Sequence, residues 1–181
     1  AYTITSLQPA DAGTYTVAVT NKSGTVISTT ATLAVPSLPN FAWRSPMPQG
    51  GTLFGLVYAA GKFVAVGVGG RVMTSIDGVT WTLSATVPTT ALLAVASDGS
   101  QFVAVGNSGA LFTSRDATTW TQRTATTTTL RAVTYAGNLF LASGDSGLII
   151  TSPDGVNWTQ RTTGTTQRLN SVTGTFGRFV A

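Results

Sequence analysis

Glutamate, histidine and cysteine do not occur in this sequence, and charged residues of any kind make up only 9% of it. Each gap removes a class of chemistry. Without histidine the chain holds no Ser-His-Asp triad and no His-bearing zinc site. Without glutamate it has no Glu-containing acid/base pair of the kind glycosidases use. Without cysteine there is no disulfide scaffold, and the redox compartment stays open. No apolar run approaches the roughly 18 residues that a membrane-spanning helix needs, so no membrane span is expected. No signal peptide is visible either. The chain opens on Ala1 rather than Met, inside a strand-like pattern, and so reads as a piece of a longer protein. Asp, Arg, Tyr, Ser and Thr are the types left for function, and neither a cofactor nor a metal site is expected. Eight Arg and two Lys face six Asp for a net charge of +4. These charges are scattered along the chain, which argues against a nucleic-acid-binding stripe.

Present in quantity are 34 Thr, 20 Gly and 43% hydrophobic residues in 181 positions. That length can hold one or two domains and bury a real core. The composition is that of large secreted bacterial β-proteins, which gives the expectation of an extracellular or cell-surface location. Residues 1–35 read as strands, YTITSL, TYTVAVTN and TVISTTATLAV, dense in Thr, Val, Tyr and Ile. NKSG joins the last two as a hairpin turn. Two prolines in PSLPN, residues 36–40, mark an interdomain linker.

From residue 41 to 181 one beat takes over. The four tryptophans, Trp43, Trp81, Trp120 and Trp158, are spaced 38, 39 and 38 apart. Phe63, Phe102, Phe140 and Phe179 keep the same step, each ten residues after Leu53, Leu92, Leu130 and Leu169. Every unit carries an apolar strand, a Gly turn, FVAVG or FLASG, a second Gly turn, a strand ending in Thr-Ser, and a Trp-bearing strand. Four short strands in about 39 residues is the period of a β-propeller blade. The expected fold is therefore all-β, a partial propeller of about three and a half four-stranded blades. It opens on an outer strand with Trp43 and stops inside the second strand of a fourth unit, an open arc with an unpaired sheet edge.

The three motifs SIDGVTW, SRDATTW and SPDGVNW resemble the Asp-box repeat of bacterial neuraminidases and their relatives, which include the photosystem II stability and assembly factor family. In this repeat Ser75, Asp77 and Trp81, then Ser114, Asp116 and Trp120, then Ser152, Asp154 and Trp158 are expected to be structural. Each set falls where the third strand must reverse into the fourth, and a short Asp can accept hydrogen bonds from the turn's own amides. A catalytic aspartate is needed once, whereas a structural one recurs in every blade. Gly78 and Gly155 suit a positive φ after the Asp, and Ala117 resists one. Upstream, Asp11-Ala12-Gly13-Thr14-Tyr15 resembles the tyrosine corner of immunoglobulin-like domains. That resemblance implies strands E, F and G of a partial β-sandwich.

The loops between second and third strands and the connections between blades share the opposite face. On that rim the sequence places Arg71, Asn107, Arg123, Arg131, Asp145, Arg161 and Arg168 as a possible ligand site. Sialidases bind a substrate carboxylate through an arginine cluster, and bidentate Arg geometry suits such a group. The resemblance implies three readings. The first is a non-enzymatic recognition or adhesion module for a carbohydrate or protein ligand. The second is a sialidase-like glycoside hydrolase with catalytic residues in missing blades. The third is an assembly factor that docks a partner protein.

Overall fold

The computed structural model describes residues 11–34, 51–175 and 178–181. The expected first strand, the linker at 36–40 and the Trp43 strand lie outside these residues. The chain divides into two compact units, Ala1–Trp43 and Arg44–Ala181.

In the first unit, β1 (Gly13–Tyr15) pairs antiparallel with β4 (Ala31–Leu33), and β2 (Ala18–Asn21) with β3 (Gly24–Ile27). The two ladders are one long hairpin interrupted midway. The interruption is held by Ser28, whose N–H donates to the Val17 carbonyl at 2.8 Å while its Oγ accepts from the Val17 N–H at 2.9 Å. At the tip, Asn21 Oδ1 accepts the Ser23 N–H at 2.8 Å, an Asx turn. The Tyr15 hydroxyl donates to the Asp11 carbonyl at 2.7 Å, tying the start of the hairpin to the chain four residues upstream.

In the second unit the 39-residue beat becomes three four-stranded antiparallel sheets in sequence order. Blade 1 is β5 (Leu53–Ala59), β6 (Lys62–Gly67), β7 (Arg71–Ser75) and β8 (Thr82–Thr86). Blade 2 is β9 (Leu92–Ser97), β10 (Phe102–Gly106), β11 (Leu111–Ser114) and β12 (Thr121–Gln122). Blade 3 is β13 (Leu130–Ala136), β14 (Leu139–Gly144), β15 (Ile149–Ser152) and β16 (Thr159–Arg161). A two-stranded sheet, β17 (Thr173–Thr175) with β18 (Arg178–Val180), begins a fourth. The innermost strands β5, β9, β13 and β17 lie side by side in that order. This is the radial arrangement of propeller blades, and the unit is a partial β-propeller.

The second strands explain the packing. In an edge-on sheet one face is apolar and the other wet, but a blade is sandwiched between two neighbours, so both faces must be apolar. β10 reads FVAVG and is buried throughout. Phe102 and Ala104 join a core cluster with Val64, Val66, Val72 and Val95 between blades 1 and 2. Val103 and Val105 join another with Leu130, Val133 and Phe140 between blades 2 and 3. Burying each such valine, leucine or phenylalanine side chain stabilises the fold by about 1.5–3 kcal/mol.

The innermost strand of each of the three four-stranded blades also carries an irregularity at one place. The register skips Phe54 in β5, Leu93 in β9 and Arg131 in β13. A bulge adds one residue and turns its side chain away from the ladder. In blades 1 and 2 that residue is apolar, whereas in blade 3 it is an arginine at the rim end of the strand.

Candidate functional site

The two faces of the arc are built differently. On one face stand the three aspartate turns between third and fourth strands. Asp77 Oδ1 accepts the N–H groups of Val79 and Thr80 at 2.8 Å each, and Ser75 Oγ donates to the same oxygen at 2.9 Å. Asp116 receives the N–H groups of Thr118 and Thr119 and the Ser114 hydroxyl. Asp154 receives those of Val156 and Asn157, the Ser152 hydroxyl, and the Asn157 amide on its second oxygen. Donors aimed at a carboxylate favour its charged form. The turn amides, Thr80 foremost and then Val79, accordingly hold Asp77 down at about 2 from the usual 3.8. Asp116 is lowered mainly by the Thr119 amide, and Asp154 mainly by that of Asn157.

The residue after each aspartate takes a positive φ: +70° at Gly78, +63° at Ala117 and +67° at Gly155. Ala117 thus adopts the conformation its Cβ resists, in a turn where its methyl is fully buried in the core between blades 1 and 2. The middle turn differs in a second way. The indole N–H of Trp81 donates to the Gly78 carbonyl at 3.3 Å, and that of Trp158 to Gly155 at 2.9 Å. The Ala117 carbonyl instead accepts the Ser84 hydroxyl at 2.8 Å, and the buried Trp120 Nε1 has no hydrogen-bond partner among the described residues. The turns of blades 2 and 3 are also each tied to the blade before. Lys62 Nζ donates to the Asp116 carbonyl at 3.2 Å, and Gln101 Nε2 to the Asp154 carbonyl at 2.9 Å. Lys62 and Gln101 each precede the repeated Phe, a position the sequence analysis did not single out.

On the opposite face, the glycine loops between second and third strands press against the blade connections. The Asn107 N–H donates to the Ala91 carbonyl at 3.1 Å, and the Asp145 N–H to that of Thr129 at 3.0 Å. Gly70, Gly109 and Gly147 pass so close to the outgoing connections that an added Cβ would lie 2.0 Å from a carbonyl oxygen, of Val87, Thr126 and Thr165 respectively. This interlock of backbone on backbone fixes the rim rigidly.

Of the rim residues expected from sequence, the structure brings three together. Arg131, aimed by its bulge, places Nε and Nη2 on the two oxygens of Asp145 at 2.5 and 3.2 Å. Arg168 Nε reaches Asp145 Oδ1 at 3.1 Å. The hydrogen bond from Arg131 leads in lowering the Asp145 carboxyl, and Asp145 in turn raises the Arg131 guanidinium. Two arginines on one aspartate leave the cluster with net positive charge, and the Arg168 side chain stays 59% exposed. Beside this, a groove of about 930 Å³ is lined by threonines of two connections, by Ser146 and Leu148, and by Arg161. Arg161 is held through Nε by Thr151 Oγ1 at 2.8 Å.

The others are placed apart. Asn107 turns its amide onto Thr90 Oγ1 at 3.1 Å. Arg71 begins β7, against Gly51. Arg123 is pinned to Thr113 Oγ1 at 3.0 Å and lines a smaller groove with Ser114, Arg115 and Val156, which faces the aspartate turns rather than the rim. The sequence did not single out Thr113 or Thr151. The repeated TQR after Trp120 and Trp158 was the signal that could have found them.

Among the described residues no group of three or more His, Cys, Asp or Glu could hold a metal ion, and no helix is long and apolar enough to cross a membrane.

No protein-family model and no curated protein matches the sequence. Solved structures do. YCF48 from Cyanidioschyzon merolae is similar with a TM-score of 0.55 at 22% identity, over 64% of this chain and 38% of that one. YCF48 bound to D1 peptide is similar with a TM-score of 0.58 at 19% identity, over 70% and 46%. A member of the GH130 family of mannoside phosphorylases aligns at 0.42 and 14% identity, over 66% and 51%. The chain spans less than half the length of either YCF48 structure. What it shares with them is the fold: its blades are those of a β-propeller.

Proposed function

We propose that this chain is a non-enzymatic recognition protein whose propeller docks a polypeptide partner on the rim of the glycine loops and blade connections. The observation that carries this reading is the rim cluster of Arg131, Asp145 and Arg168, a preorganised excess of positive charge beside a large open groove. A bidentate pair holds one guanidinium still, and the exposed guanidinium of Arg168 is placed to meet an incoming carboxylate. The YCF48 propeller bound to D1 peptide shows that a related fold takes a peptide.

A hydrolase reading gains nothing from the aspartates of the turns. A glycosidase acid needs a carboxyl held protonated by a raised pKa, and those of Asp77, Asp116 and Asp154 are all lowered by turn amides. In the same proposal the repeated motifs are Asp boxes that brace the blades. The hairpin tied by Tyr15 and Asp11 belongs to an immunoglobulin-like spacer. The threonine- and glycine-rich composition suits a secreted or cell-surface protein with a role in adhesion.

The test uses fluorescence anisotropy of labelled peptides, aspartate-rich, neutral and lysine-rich, with a glycan array in parallel. Aspartate-rich peptides should bind, and Arg168→Ala should weaken them at least about fivefold, the loss of a charge-assisted contact. Binding to glycans alone, or peptide binding indifferent to Arg168→Ala and Arg161→Ala, would refute the reading.

A further inference from the structure

The tight turns between second and third strands differ from blade to blade at one position. In blades 2 and 3 they close through the Ala110 N–H on the Asn107 carbonyl at 2.9 Å and the Leu148 N–H on the Asp145 carbonyl at 3.1 Å. The first residue inside each turn has a left-handed backbone, with φ +53° at Ser108 and +57° at Ser146. Turns of this kind favour Gly, Asn or Asp there. Blade 1 has Gly69 at the same place, φ +68°, with open space around an added Cβ. The fold thus accepts glycine, and no packing calls for a larger residue. Two blades nonetheless carry serine in a backbone state that its Cβ disfavours.

A second position changes in step with the first. Two residues after the Trp, blade 1 has Leu83, whereas blades 2 and 3 have Gln122 and Gln160. Ser108 and Gln122 line one groove of about 190 Å³. Ser146 and Gln160 line the groove of about 930 Å³. All four residues are exposed, and among the described residues none of their side chains makes a hydrogen bond. One connection stands between the two grooves. Its Thr129 Oγ1 accepts the Ser108 N–H at 3.2 Å, while its Thr126 and Thr128 line the larger groove. Strained backbone that carries an unused polar group is a mark of a binding position.

We infer that Ser108 with Gln122, and Ser146 with Gln160, are two equivalent subsites that each take a side-chain amide, Asn or Gln, of one extended peptide crossing from blade 2 to blade 3. A hydroxyl and a carboxamide both donate and accept, so together they complement another carboxamide. No charged side chain lines the smaller groove, and an acidic residue has no partner there. This inference rests on the rim reading and adds to it the partner's sequence: amide-bearing residues beside the acidic one that meets Arg168.

The test uses two labelled peptides of equal length and charge, one mixing aspartate with asparagine and one mixing aspartate with alanine. By fluorescence anisotropy the asparagine peptide should bind at least about threefold tighter. Ser108→Gly and Ser146→Gly should each weaken it about two- to tenfold, the worth of a neutral hydrogen bond, and the double variant should bind both peptides alike. The alanine peptide should not respond to either serine. Because glycine suits the left-handed turn, the unfolding midpoint of the variants should not fall. Equal affinity of the wild-type chain for the two peptides, or a preference that survives the double variant, would overturn the inference. If Arg168→Ala still weakened both peptides, the rim reading would stand without it. A lowered midpoint would make the serines structural and overturn it too, as would a glycan that binds in place of peptide and is lost with the serines. Binding of neither peptide would refute the rim reading and this inference together.

Discussion

Gly147→Ala is expected to cost about 2–6 kcal/mol of folding stability, from backbone strain and overpacking together. Two features combine at this position. The residue sits at φ +68°, where a side chain is strained, and its Cβ would be driven to 2.0 Å from the Thr165 carbonyl oxygen. The neighbour is backbone held by the interlock of loop and connection, so it cannot swing away. Against about 5–15 kcal/mol for a whole domain, the loss is severe. Gly61→Ala isolates the first feature. With φ +72° and nothing within 4 Å of the added methyl, it should cost only about 1–2 kcal/mol. Urea midpoints of the two variants check the comparison. Similar losses would mean that the rim backbone is looser than described.

The second large effect is expected at Phe140. Its side chain is fully buried, with Tyr135 at 4.6 Å and Trp158 at 6.5 Å between ring centroids. Phe140→Ala removes the ring from a core closed on both sides and should cost about 3–5 kcal/mol. Phe63 holds the same place in blade 1, with Tyr58 at 4.6 Å and Trp81 at 6.2 Å. It is only half-buried, because it faces the open side of that blade. Phe63→Ala should therefore cost clearly less. Thermal unfolding of both variants measures the difference, and equal losses would show that blade 1 is covered in solution.

The sequence carried the fold in its spacings. Leu, Phe and Trp recur at fixed distances because every blade must fill the same wedge, so the strands and the partial propeller could be read without coordinates. The place of the aspartates was legible for the same reason, as was the misfit of Ala117, since a turn that takes Gly in two repeats must take a positive φ in the third. The rim was less so. Arg131 and Asp145 lie 14 residues apart on different strands, and what joins them is a bulge. A bulge leaves no mark in a sequence where Phe54 and Leu93 occupy the same position. Nor could spacing tell that Arg123 and Arg161, alike in sequence, line different grooves. Gly147 read as a turn former, and its closer constraint, the Thr165 carbonyl, lies in another segment of the chain. The Ala117 carbonyl, whose counterparts take an indole N–H, is bonded by Ser84, a residue in the preceding blade.

The aspartate turns tie fold to function most sharply, because the same carboxylates would be the acids of an enzyme or the braces of a scaffold. As braces they are held ionised by turn amides, and their folded-state pKa values are depressed. The stabilisation is then complete above the unfolded value near about 3.9. It is lost as pH falls through the folded one, which for Asp77 is about 2. Carbon-detected NMR titration of the side-chain carboxyls measures this directly. Asp77 should titrate at about 2, with Asp116 and Asp154 also below the ordinary 3.8. Any of the three titrating above its ordinary value, as a general acid must, would contradict the account.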